Sequence, residues 1–254
     1  MLNEPTMEKL KVLKLDAMAA AWSEHQGNGD AVQLSFDERF ALLVDAEWLS
    51  RENKRRTRLL QGAKLRYPHA CVEDIDYAPK REIDKAVIRQ LATCRWIDDH
   101  RSVILTGATG TGKSYVACAL AQQACRKGYS ALYKRAPRLF PELALAKADG
   151  TYERLLGKLA RIDVLIIDDW ALAPATEAER RDLLEVLEDR EGRRATCIAS
   201  QLPHKLWHEH LGEPMTADAI LDRLVHGAYK LALKGPSRRK DGQEDEEHEV
   251  EKKK

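Results

Sequence analysis

No apolar run in this 254-residue sequence approaches the ~18–20 residues that a membrane-crossing helix needs. The opening, MLNEPTMEKL, lacks a basic segment followed by an apolar one, so no secretory signal is expected. Cysteine is scarce. Cys71, Cys94, Cys118, Cys125 and Cys197 are odd in number and scattered, and no pair has CxxC spacing. That excludes the pattern of a disulfide framework or a zinc ribbon and fits a reducing, cytoplasmic compartment. Aromatic residues make up only 6% of the chain. A β-sandwich, whose strands favour aromatic and β-branched residues, is not expected. His204 and His208 stand four apart, but no ligand carboxylate or cysteine completes a metal set.

Hydrophobic residues make up 44%, which excludes wholesale disorder. Charged residues reach 33%, above the usual ~25%, and point to a helix-rich chain with solvated faces. The net charge of +1 conceals an asymmetry. Residues 1–50 carry 4 Lys/Arg and 9 Asp/Glu, whereas residues 51–95 carry 12 basic and 6 acidic residues. Asp241–Glu251 holds 7 acids and no Lys or Arg. A chain near neutrality can still offer a local basic surface to an anionic partner.

Apolar spacing predicts a helix over residues 6–25. Ser35 and Glu38 form a capping-box pattern that opens a second helix, running from Phe36 towards Arg66 with Gly62 as its only breaker. Its first half is apolar on one face and its second half is basic. Residues 81–97 return to helical periodicity. From Ser102 onward short apolar strands (102–106, 131–133, 164–167, 196–199) alternate with helices (115–126, 137–147, 151–161, 176–191). That order implies a parallel sheet covered on both faces. Three parts are expected: an α-helical domain over 1–72, an α/β domain over 73–240, and a charged, disordered tail over 241–254. Trp22, Trp48 and Trp96 lie within apolar patterns and are expected in the core.

The strongest motif is Gly107-Ala108-Thr109-Gly110-Thr111-Gly112-Lys113-Ser114, a complete GxxxxGK[ST] phosphate loop. Its glycines let the backbone curl until successive N–H groups converge on phosphate oxygens, and the following helix points its positive end at the same place. Lys113 is expected on the β- and γ-phosphates of ATP, and the Ser114 hydroxyl on Mg²⁺. Val164–Ile167, ending in Asp168 and Asp169, reads as a buried strand with acids at its C-terminal edge, where open α/β sheets bind ligands. Asp168 fits a Mg²⁺-holding role and Asp169 the polarising of an attacking water. Thr196–Ala199 ends in Ser200 and Gln201, either of which could hydrogen-bond the γ-phosphate.

Arg51, Lys54, Arg55 and Arg58 fall at i, i+3, i+4 and i+7, on one helical stripe. Residues 51–66 hold seven basic residues against one acid and no interleaved aromatic. Such a face suits sequence-independent contact with the backbone of duplex DNA. It equally suits pairing with the acidic residues of 1–50.

The run from GATGTGKSYVACALAQQAC through LIIDDWALAP and IASQLP to AILDRLVHGAYKLALKG resembles the IstB-like ATPases. So do PTMEKLKVLKL, SFDERFALLVDAEW, RENKRRTRLL and ACVEDIDY in the N-terminal part. These are transposition helpers of bacterial insertion sequences, related to DnaC and DnaA within the AAA+ superfamily. The resemblance spans roughly residues 5–240. It implies a five-stranded α/β AAA+ core behind a small all-α domain, ATP-dependent assembly on DNA as a homo-oligomer, and stimulation of a partner transposase. It also implies that Gln201 (or Ser200) is sensor 1. Arg223 would be an arginine finger reaching a neighbouring subunit's ATP, although the sequence alone equally allows a surface arginine paired to Asp222 or Asp218. Ser237-Arg238-Arg239-Lys240 resembles a terminal basic motif of the family. A DnaC-type helicase loader is the alternative, against which the SFDERF…REN block weighs. A small-molecule P-loop kinase would need an arginine-bearing lid that the pattern lacks.

Overall fold

The computed structural model of the chain describes residues 3–27, 33–78 and 81–237. The charged tail expected over 241–254 therefore lies outside the described residues. The helices are α1 (Asn3–Val12), α2 (Asp16–Gly27), α3 (Phe36–Ala63), α4 (Lys85–Ala92), α5 (Arg95–Asp98), α6 (Lys113–Arg126), α7 (Ala136–Ala148), α8 (Tyr152–Arg161), α9 (Glu177–Glu188), α10 (Trp207–Leu211) and α11 (Pro214–Val225). The strands are β1 (Val103–Thr106), β2 (Ala131–Arg135), β3 (Val164–Trp170), β4 (Ala195–Ser200) and β5 (Tyr229–Ala232). No helix among the described residues is long and apolar enough to cross a membrane.

Two compact units divide at Arg58/Leu59, within α3 and earlier than the 72/73 boundary expected from the sequence. The reason is packing. Leu59, Leu60, Ala63, Leu65, Ala70 and Ile75 all belong to the apolar cluster of the second unit.

In the first unit, the single helix expected over 6–25 is two. The chain turns at Lys14, whose φ is +58°. Glu47 of α3 then serves as a cap for α2, accepting from the amides of Ala17 at 3.0 Å and Met18 at 3.1 Å. Arg51, one turn further on, donates through Nε to Glu47 at 2.7 Å and through Nη2 to the Lys14 carbonyl at 3.2 Å. The Ser35/Glu38 capping box forms as read: Glu38 N donates to Ser35 Oγ at 3.3 Å, and Ser35 N to Glu38 Oε2 at 2.8 Å. Trp48, expected in the core, is 61% exposed, because the buried face of α3 is the one carrying Leu43 and Glu47.

The second unit is built on one parallel sheet of order β2-β3-β4-β1-β5. Alternate strand residues face opposite ways. Val103, Leu105, Tyr133, Ile166 and Cys197 meet α4 and α6 on one face. Ile104, Leu132, Leu165, Ile167 and Ile198 meet residues of α7 to α11 on the other. Full burial of each such side chain contributes roughly 1.5–3 kcal/mol. The helix expected over 81–97 is also broken. Asp84 caps α4 through the amides of Ala86 and Val87, and Cys94 at φ +66° ends its run before α5. The fifth strand, Tyr229–Ala232, was placed by no local sequence pattern; it forms at the sheet edge beside β1.

Glu47 generates the first prediction. The Arg51 guanidinium and the two helix amides hold its carboxyl below the ordinary glutamate range, against the opposing effect of burial. Glu47→Ala should cost about 1–3 kcal/mol, because it strands two amides and a cation. The wild-type contribution is present above the ordinary glutamate pKa and disappears as pH falls through the lowered one. Urea unfolding of wild type and variant at several pH values measures both. The two curves should converge in acid.

Candidate nucleotide site

The order of the strands assembles the site. In the sheet β4 lies between β3 and β1, so the C-terminal ends of these three strands stand side by side. Those ends carry, in turn, Asp168 and Asp169, then Ser200 and Gln201, then the phosphate loop.

The loop has the backbone its glycines predict. Gly107, Gly110 and Gly112 have φ values of +148°, +82° and +98°. At Gly107 a Cβ would also lie 2.2 Å from the Leu233 carbonyl oxygen, so a side chain is excluded by both conformation and space. Leu233 N in turn donates to Thr106 O at 2.7 Å. Lys113, at the first position of α6, is 8% exposed. Its ammonium folds back across the loop and donates to the carbonyls of Gly107 at 2.7 Å and Ala108 at 2.8 Å. A phosphate oxygen would compete for the same protons.

A cleft of about 240 Å³ opens on the loop. Thr109, Gly110, Gly112, Lys113 and Ser114 form one wall. Asp169 and Gln201 form part of the other, and two tyrosines, Tyr67 and Tyr115, complete it. The structure therefore brings together Lys113, Ser114, Asp169 and Gln201 from three strand ends. It separates Ser200 from Gln201. Ser200 is fully buried, and its hydroxyl donates to Trp170 O at 2.9 Å while accepting from Leu202 N at 3.0 Å. Ser200 is a clip between β3 and the turn after β4, whereas Gln201 faces the cleft.

The two acids differ sharply. Asp168 is 1% exposed. Its Oδ2 accepts from the Tyr133 hydroxyl at 2.5 Å and its Oδ1 from the Asp169 amide at 2.8 Å. Burial and the Asp168 carboxylate together push the Tyr133 phenol far above its ordinary pKa, so it is a donor at every working pH. Asp169 interrupts the β3–β4 ladder: pairing is lost after Ile167 and resumes at Trp170 with Ser200. Its φ of +55° turns the carboxylate out of the strand, where Arg135 of β2 holds it at 2.6 Å. Ser114 and Asp168 offer hard oxygen donors, the kind Mg²⁺ takes, and Mg²⁺ commonly uses one or two protein oxygens plus phosphates and water. The described residues hold no cluster of three or more His, Cys, Asp or Glu that would form an all-protein cage. The donor set fits Mg²⁺ held in that shared manner.

Arg223 stands elsewhere in this unit. It is paired not to Asp222 or Asp218 but to Glu188 of α9 and to Glu191, each at 3.0 Å. On α3, Arg51 is engaged within its own unit as described above, while Lys54, Arg55 and Arg58 are exposed. Sequence reasoning missed Tyr67, Tyr115, Tyr133 and Arg135. For the last two the only signal is local, the period of two that sets Tyr133 and Arg135 on one face of a strand; their acidic partners come from the register of β2 with β3. For Tyr67 there was none.

A phosphate loop on β1, an acid-tipped β3 and a polar-tipped β4 between them, on a five-stranded parallel sheet layered by helices, is the arrangement of an ATP-binding protein with an AAA+ type fold. The chain belongs to the family described as IstB-like ATP binding protein, whose pattern it matches over residues 8–245. It is 49% identical over 240 residues to the insertion sequence ATP-binding protein y4pL of Sinorhizobium fredii, covering 94% of this chain and 98% of that one. It is 48% identical over 203 residues to the ATP-binding protein of insertion sequence IS1162 from Pseudomonas fluorescens, covering 80% of this chain and 88% of that one. Among solved structures, its fold is similar to that of DnaI (TM-score 0.55, 23% identity, 71% of this chain and 92% of that one). It is also similar to that of the DnaC helicase loader (TM-score 0.55, 16% identity, 66% of this chain and 99% of that one).

Two substitutions separate the roles of neighbouring residues. Ser200→Ala should lower stability by about 1–3 kcal/mol, since it leaves the Trp170 carbonyl and the Leu202 amide without their partner. Gln201→Ala should leave the unfolding midpoint unchanged and alter only nucleotide turnover. Chemical denaturation and a phosphate-release assay on both variants give the comparison. At the loop, Lys113→Ala and Gly107→Ala should each abolish ATP binding in calorimetry, and only Gly107→Ala should also destabilise the fold.

Proposed function

We propose that this chain is an ATPase that assembles on duplex DNA without sequence preference and stimulates the transposase of its insertion sequence. The observation that carries the reading is the cleft in which the phosphate loop meets Asp169 and Gln201. It occurs in a chain nearly half identical, over almost its whole length, to ATP-binding proteins of insertion sequences.

In this reading the loop amides and the positive end of α6 bind the phosphates. Lys113 exchanges its carbonyl partners for the β- and γ-phosphate oxygens. Ser114 and Asp168 would hold Mg²⁺, which would neutralise phosphate charge when bound. Asp169 orients the attacking water once it parts from Arg135, and Gln201 donates to the γ-phosphate. Hydrolysis is an in-line attack in which positioning and electrostatics supply most of the acceleration. Arg223 lies outside its own subunit's cleft, which supports a role as a finger towards a neighbouring subunit's ATP in a homo-oligomer. In this reading the chain acts in the cytoplasm, beside its DNA target. A DnaC-like loader of a replicative helicase is the second reading, supported by the likeness in fold to DnaI and DnaC. Retention of a transposase rather than a replicative helicase in pull-down decides between them.

Lys54, Arg55 and Arg58 are the DNA-facing part of the basic stripe, with Arg51 contributing charge from its place on Glu47. Each phosphate contact removed should reduce the slope of log K against log[salt] by ~0.9. Arg55→Ala/Arg58→Ala should weaken binding to two unrelated duplexes by similar factors, because phosphates carry no base identity. Fluorescence anisotropy over a salt series reads this. An unchanged slope would remove the stripe from the DNA interface. For the chemistry, Asp169→Asn should keep ATP affinity and lose turnover. Arg223→Ala should lose turnover too, and be partly rescued on mixing with Lys113→Ala subunits; absence of rescue at every ratio would refute an intersubunit site.

A further inference from the structure

Part of the cleft wall does not come from the sheet. The phosphate loop and α6 supply Lys113, Ser114 and Tyr115, and the ends of β3 and β4 supply Asp169 and Gln201, whereas Tyr67 comes from the segment between α3 and α4. A short turn carries it there. Lys64, at φ +50°, ends the run of α3, and Ala70 N donates to Tyr67 O at 3.1 Å. The turn is anchored on both sides by buried side chains, Leu65 before it and Ala70 after it. The ring itself is held from two directions. The Tyr115 ring lies 6.1 Å away, centroid to centroid, and the Arg66 guanidinium stands 5.5 Å over its face. Only the hydroxyl is left over. Tyr129, Tyr133 and Tyr152 donate theirs to carboxylates. The Tyr67 hydroxyl has no hydrogen-bond partner among the described residues.

We propose that Tyr67 is a nucleotide ligand whose hydroxyl donates to the γ-phosphate of ATP. The proposal rests on the reading of the cleft given above. In that reading Lys113, Asp169 and Gln201 surround the γ-phosphate, and Tyr67 lines the same space of about 240 Å³. The terminal phosphate spreads its charge over outward-facing oxygens, each an acceptor. A phenol offers one O–H donor, and a hydrogen bond to a charged acceptor is roughly twice as strong as one between neutral groups. Because Tyr115 and Arg66 already fix the ring, little side-chain freedom is lost when the bond forms. Arg66 also brings a positive charge close to the phenol. ADP has no γ-phosphate and cannot make this contact. Tyr67 is therefore a specificity determinant, which favours the triphosphate over the product diphosphate.

The test uses the full chain and Tyr67→Phe, which keeps the ring and its contacts and removes only the hydroxyl. The probes are adenylyl imidodiphosphate and ADP, each with magnesium. Calorimetry measures their binding to wild type, Tyr67→Phe and Lys113→Ala, and chemical denaturation checks that each protein is folded. Tyr67→Phe should bind the triphosphate analogue roughly 10-fold or more weakly, and ADP within about twofold of wild type. A structural role for the hydroxyl would weaken both probes alike, and that result overturns the proposal. So does an analogue affinity that Tyr67→Phe leaves unchanged. Lys113→Ala keeps the two readings apart. If it binds the analogue as wild type does, the cleft is not the nucleotide site, and both readings fall. If it loses the analogue while Tyr67→Phe retains it in full, the cleft reading stands and Tyr67 alone is removed from it.

Discussion

A carboxylate almost sealed from water sits at the centre of this sheet edge, and much of the site follows from keeping it satisfied. An unpaired buried anion costs several kcal/mol, so Asp168 must take hydrogen bonds on both oxygens. The Tyr133 hydroxyl supplies one from the neighbouring strand and the Asp169 amide supplies the other. To present that amide, the backbone leaves the strand conformation at Asp169, which takes a left-handed φ. Pairing with β4 then slips until Trp170 meets Ser200. Ser200 becomes the clip that closes the slip, and Gln201 is delivered to the cleft. One desolvated acid thereby determines where the second acid points and which residue of the Ser-Gln pair faces the cleft.

The same arrangement bears on the reaction proposed. Asp169 is turned out towards the cleft but held there by Arg135. A carboxylate engaged by a guanidinium is a poor acceptor for a water proton. In the proposed function the acid is available only when Arg135 is drawn elsewhere, and that makes release of this ion pair a step at which DNA or a partner protein would set the rate.

What the sequence disclosed was what local chemistry encodes. The phosphate loop, the acid-tipped strand, the short apolar runs of β1 to β4 and the Ser35/Glu38 box each rest on residues a few positions apart. What it concealed depends on distant neighbours or on single dihedrals. Lys14 and Cys94 split helices whose apolar spacing ran on unbroken, because a left-handed residue leaves no mark in periodicity. Trp48 looks like core from its neighbours, yet the helix face that is buried was chosen by Glu47 capping α2. Arg51 reads as a phosphate ligand by spacing, while the carboxylate it pairs with stands four residues earlier on the same helix. Tyr67 reaches the cleft only because the chain reverses after α3, and nothing near it in sequence announces that.

The contact between Gly107 and Leu233 has a practical side. The phosphate loop is braced against the backbone that follows β5, with the Leu233 amide held by Thr106 and its carbonyl against Gly107. Ser237, four residues on, lies against Gly110 in the same loop. The segment leaving the last strand is therefore a handle on the loop. A substitution at Leu233 or Ser237 acts on the phosphate site itself, from the far side of the domain's sequence.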